Sequence, residues 1–130
     1  MSEEITPVAP TIVADDEYVG IYVQPRNPAD PVEMWTNELA ALHQGIVIDY
    51  TENDYWDAAA HQPYDGFLGY RHLVEMYLAA GDTMSQDAFI AHVADVMQLF
   101  AARGCDVQVA SSFESHLPGG GRLQAANKAH

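Results

Sequence analysis

"FLGYRHLVEMYLA", Phe67 to Ala79, decides the fold, because it can be read two ways and each reading builds a different domain. As a strand it alternates, with Leu68, Tyr70, His72, Val74, Met76 and Leu78 on one side and Arg71, Glu75 and Tyr77 on the other. As a helix it would gather Leu73, Met76 and Tyr77 on one side. Tyr70, Val74 and Tyr77 favour extended backbone while Leu and Met favour helix, so propensity alone is nearly balanced. The alternation is read as a strand, with the helix as its rival.

Outward on the C-terminal side the signals are plain. Thr83 and Gln86 have the spacing of a capping box, and Phe89, Val93, Val96, Met97 and Phe100 recur as one apolar helical stripe that Arg103 and Gly104 close. Then "CDVQVASSF" alternates Val107, Val109, Ser111 and Phe113 against Asp106, Gln108 and Ser112, a second strand pattern.

On the N-terminal side "IVIDY", Ile46 to Tyr50, reads as a short strand. Before it, Asp30 is placed to cap a helix with Pro31 first and Glu33 third, along which Trp35, Leu39 and Leu42 recur until Gly45. "EMWTNELAAL" also admits a strand with Trp35 and Leu39 inward. "YVGIYVQ" puts Val19, Ile21 and Val23 on one face of a β-branched strand.

The predicted order is β-α-β-β-α-β. That is a split βαβ, ferredoxin-like α+β domain with a four-stranded antiparallel sheet and two helices on one face. Its first and third strands are central, and "IVIDY" and "CDVQVASSF" are edges, each carrying an aspartate, Asp49 or Asp106, that discourages open-ended pairing. Residues 1–16 read as a flexible arm, 17–115 as a single domain, and 116–130, with three consecutive glycines, as a flexible tail.

The chain of 130 residues has 19 acidic against 5 basic side chains, a formal charge of -14. Such a field repels phosphate backbones and anionic lipid, so direct nucleic-acid and membrane binding are disfavoured and a basic protein is the expected partner. No apolar run reaches membrane-spanning length, and the N-terminus carries acid where an export signal carries base, so the expected location is the cytoplasm. Cys105 is the single cysteine, which excludes an internal disulfide and a cysteine-built zinc site.

Between the second and third predicted strands lies "DYTENDYWDAAAHQPYDG", Asp49 to Gly66, acidic and aromatic without a Lys or Arg. Asp49, Glu52, Asp54 and Asp57 lack the glycine turn and spacing of a calcium loop, and the six histidines are scattered over different elements with no pair at i and i+4. His61 could join Asp54 and Asp57, but no metal motif supports it, and His92 is expected at a helix border rather than among ligands. No nucleophile elbow, phosphate loop or catalytic triad pattern is present, so no catalytic residue and no cofactor is assigned.

Composition fits docking best. Tyr55, Trp56 and Tyr64 are aromatic anchors, and Asp49, Glu52, Asp54, Asp57 and Asp65 are steering charges. The expected function is a small acidic protein-binding module, an inhibitor or immunity-type protein that neutralises a basic toxin or nucleic-acid enzyme. The alternative is a small-molecule-binding or regulatory domain, monomeric or homodimeric, and an enzyme with a carboxylate and histidine site stands third. The structural counterpart is that Trp56 and Tyr64 close the end of the core while the acids face water. On the strand registers above, Tyr22 and Tyr77 share the sheet face with Arg71 and Glu75, away from the helices.

Overall fold

The computed structural model describes residues 11–13, 18–57, 69–81, 83–111 and 114–125. In chain order they form β1 (Thr11–Val13), β2 (Tyr18–Pro25), α1 (Val32–Leu42), β3 (Ile46–Glu52), β4 (His72–Leu78), β5 (Thr83–Ser85), α2 (Gln86–Ala102), β6 (Cys105–Ala110) and β7 (Arg122–Leu123). Two 3-10 turns, Glu114–His116 and Pro118–Gly120, lie between β6 and β7.

The ambiguous stretch is a strand. In β4 the side chains of His72, Val74, Met76 and Leu78 are buried and those between them are half-buried, so the period of two outweighed the helical content of Leu and Met. The second ambiguity resolves to helix: α1 buries Val32, Thr36 and Leu39 along one stripe.

The strand count departs from expectation. The main sheet has five strands in the order β3-β4-β2-β6-β7, all neighbours antiparallel, and β1 and β5 pair separately as a two-stranded sheet. The fifth strand exists because Gly119, Gly120 and Gly121, with φ of 62°, 68° and 91°, reverse the chain in a conformation closed to most side chains. Val109 N–H donates to the Gly121 carbonyl at 2.7 Å, and Leu123 lands opposite Val107. β6 is therefore an inner strand, and the edges of the main sheet are β3 and β7.

Helix starts are also displaced from their predicted caps. Asp30 does not cap α1: its N–H donates to the Asn27 carbonyl in a turn, and Pro31 occupies the cap position without a side-chain bond. At α2 the cap is Ser85, whose Oγ accepts from Ala88 N–H at 3.1 Å, because Thr83 is drawn into β5 opposite Val13. The last long strand stops at Ala110, and Phe113 and Ser112 lie outside the described residues.

One core joins the helices to the sheet. Val19, Ile21 and Val23 of β2, Val74 and Met76 of β4, and Val107 of β6 meet Phe89, Val93, Val96, Met97 and Phe100 of α2, all fully buried. Each such side chain contributes roughly 1.5–3 kcal/mol by leaving water. Cys105 is in the same core, and burial, then the Asp30 and Asp106 carboxylates, push its thiol up to about 12. Among the described residues no helix is long and apolar enough to cross a membrane.

Candidate functional site

The sheet face turned away from the main core receives every second side chain of the long strands. Register places Val47, Tyr77 and Tyr18 in one row, Asp49, Glu75, Gly20 and Ala110 in the next, and Thr51, Leu73, Tyr22, Gln108 and Arg122 in the third. Asp49 and Glu75 are direct cross-strand partners, an arrangement of like charges that is destabilising without compensation.

The compensation comes from two phenols. Tyr77 Oη donates to Asp49 Oδ2 at 2.8 Å, and Tyr18 Oη donates to Glu75 Oε2. Tyr18 reaches its acceptor by crossing Gly20: a Cβ built there would lie 3.9 Å from Tyr18 Oη and from its ring, and 3.4 Å from Leu73 Cδ1. Partial burial and then the Glu75 bond raise the Tyr18 phenol, and the bond to Asp49 is the main cause that raises that of Tyr77. Both phenols are therefore neutral donors at pH 7.

The 53–57 loop is tied down by Asn53, which is buried at the end of β3. Its backbone N–H donates to the Arg71 carbonyl at 2.8 Å and its Nδ2 to the Tyr70 carbonyl at 2.9 Å. Its Oδ1 accepts from Tyr55 N–H at 3.1 Å and its carbonyl from Trp56 N–H at 3.0 Å. This is the Asn-directed turn that the side chain's length makes possible. Burial, then Glu75 and Tyr55, raise the Tyr22 phenol.

Tyr55 is 78% exposed and Trp56 37% exposed. The Arg71 guanidinium lies 5.1 Å from the Trp56 ring centre, and its Nε is 3.6 Å from Glu52 Oε2. Glu52, Asn53, Asp54, Trp56 and Arg71 line a shallow depression there. Beside it Tyr70 is buried apart from the main core; burial raises its phenol and the adjacent Arg122 opposes that rise.

Of the site residues read from the sequence, the structure places Asp49 on the open face, Glu52 at the end of β3 in register with His72, and Asp54, Tyr55, Trp56 and Asp57 in the turn that follows. Tyr64, Asp65 and His61 lie outside the described residues. Sequence reasoning missed Asn53, whose signal was its place as an Asn just past a strand. Arg26 pairs with Asp106 at 3.1 Å and Arg103 with Glu38 at 3.5 Å, and among the described residues no ion pair reaches Asp49, Asp54 or Glu75.

On the other face, Tyr50 Oη and His72 Nδ1 are 2.6 Å apart. Burial and then Arg71 push the His72 imidazole below its usual value, against the pull of Glu52. The pair ties the edge strand β3 to β4. No three His, Cys, Asp or Glu among the described residues are grouped as metal ligands.

Compared with known proteins, the chain matches no family model, no curated protein and no solved structure.

Proposed function

We propose that this chain is a small protein-binding module whose partner is a basic protein. The docking surface is the open sheet face together with the 53–57 loop. The observation that carries the reading is that Tyr18, Tyr55 and Trp56 are exposed on the sheet face and loop that also carry Asp49, Asp54 and Glu75, carboxylates that no described ion pair neutralises. Aromatic anchors give such a surface its affinity, and acids without a paired base raise the rate of encounter with a cationic patch.

An inhibitor of the immunity type, acting in the cytoplasm by covering the positive site of a toxin or nucleic-acid enzyme, fits the charge and size. We read β2, β3, β4 and β6 with the two helices as a ferredoxin-like split βαβ unit to which β7 is appended, its open face being the surface offered to the partner.

The test is capture of proteins at low and at high salt, followed by purification of what is retained. The purified partner is then titrated against the wild type and a Asp54→Asn, Tyr55→Ala, Trp56→Ala variant. The reading requires a basic partner, affinity that falls with salt, and amide protection on binding at Tyr18, Tyr55, Trp56 and Tyr77. An acidic or neutral partner, or unchanged affinity in the variant, would sink it. A small molecule retained in the Glu52–Arg71 depression would point instead to the regulatory alternative.

A further inference from the structure

Away from the open face, α1 and α2 are fastened to each other at two places. At one, Arg103, which closes α2, pairs with Glu38 at 3.5 Å and lies 5.1 Å from the Trp35 ring centre. At the other, His43, nearly buried just past the end of α1, meets half-buried His92 of α2, their Nδ1 atoms 2.7 Å apart and their rings at 73°. Leu39, Leu42 and Leu99 border the histidine contact, and Gln98 completes it.

A hydrogen bond between two Nδ1 atoms needs one donor and one acceptor, so one of these rings carries its proton on Nδ1 and the other on Nε2. A first added proton enters the donor ring at Nε2 and leaves the bond in place, now strengthened by charge. A second gives both rings an Nδ1–H, so the acceptor is gone and two cations face each other. We propose that this contact is a proton-operated latch, which holds the end of α1 to α2 until both rings are protonated and then lets it go. The Arg103 guanidinium keeps its charge throughout, so acid frees one end of α1 only. Release widens the depression between the helices and uncovers Leu39.

The surroundings set the pH at which the latch yields. On α2 the charged group acting on His43 besides His92 is Asp95, which favours protonation. On α1 the bordering side chains, Leu39 and Leu42, are uncharged. β3 and β4 hold their charges away from it: Asp49 and Glu75 lie on the open face, and Glu52 and His72 are paired at the far end of a ladder whose near end is Ile46 and Leu78. Burial, and then His92, outweigh Asp95 and hold the His43 imidazole below its usual value. A lowered folded-state pKa leaves the contribution of neutral His43 complete above the unfolded value of about 6.5 and removes it as pH falls below that. The latch is therefore closed at neutral pH and yields in acid.

The test is amide exchange of the full chain by NMR between pH 7.5 and 5, read as protection factors and paired with imidazole nitrogen shifts. Protection of residues 40–42 is expected to fall by about tenfold for each pH unit below about 6.5, the slope of one proton taken up on release, while Thr36, in the half of α1 held by Arg103, keeps its protection. The nitrogens of His43 and His92 shift together, in two steps. In His92→Gln the side-chain amide offers both a donor and an acceptor, so a bond to His43 survives in either charge state and residues 40–42 stay protected in acid. His72→Gln, which removes the other buried imidazole, leaves their acid response as in the wild type. Equal loss of protection along the whole of α1, no loss at residues 40–42, or an undiminished acid response in His92→Gln overturns the proposal.

Discussion

Replacing Asn53 by alanine tests whether one buried side chain holds the loop against the sheet. The substitution deletes the bond from Nδ2 to the Tyr70 carbonyl and the bond from Tyr55 N–H to Oδ1, at 2.9 and 3.1 Å. Each such bond is worth about 0.5–1.5 kcal/mol net. The two stranded partners differ. Tyr55 is mostly exposed and its N–H recovers a bond to water, whereas Tyr70 is 1% exposed and its carbonyl bears a desolvation penalty of roughly 1–3 kcal/mol. With the Tyr55 bond regained from water, the sum is about 1.5–4.5 kcal/mol, less than the roughly 5–15 kcal/mol of a typical domain, so the variant folds. Urea unfolding followed by far-ultraviolet circular dichroism reads the loss, and amide exchange at Tyr55 and Trp56 reads the loosened turn. A loss below about 0.5 kcal/mol with unchanged exchange at both amides would refute the role given to Asn53.

Phe100→Ala, at a fully buried position of α2, is expected to cost about 3–5 kcal/mol in the same urea assay, with a smaller loss indicating that the core collapses into the space. Gly20→Val places methyl groups where Tyr18 crosses the strand, so the Tyr18 phenol should leave Glu75 and ionise at lower pH than in the wild type, as followed by NMR of its ring carbon. His72 is neutral-favouring when folded: its pKa is lowered, so its contribution is complete above the unfolded-state value of about 6.5 and is lost as pH falls below that. Stability measured from pH 7.5 to 5 should decline less steeply in His72→Gln than in the wild type, and parallel slopes would contradict the assignment.

Periodicity carried the parts of the fold that periodicity builds. The stripe Phe89, Val93, Val96, Met97 and Phe100 and the alternation through His72, Val74, Met76 and Leu78 are local statements about which face is buried, and both are buried. What escaped was set by pairing at a distance. Thr83 has the spacing of a cap, but β1 draws it into a strand and Ser85 takes the role. The glycines at 119–121 look like a loose tail until Leu123 finds β6. The site divides the same way: the acids and rings of residues 49–57 were legible as composition, while the Tyr18–Glu75 contact, 57 residues apart, and the anchoring by Asn53 depend on register and on a buried carbonyl.

Cys105 gives this molecule an internal clock. Its sulfur is fully shielded at the start of β6, and with the thiol pushed up to about 12 almost none of it is thiolate at neutral pH. A thiol reagent can reach it only while the strand is parted from the helices, so modification proceeds through opening events alone. Because the chain has one cysteine, the rate of labelling at a single mass shift counts those events without any engineered probe. At low reagent the rate reports the equilibrium population of opened molecules, and at saturating reagent it reports how often they open.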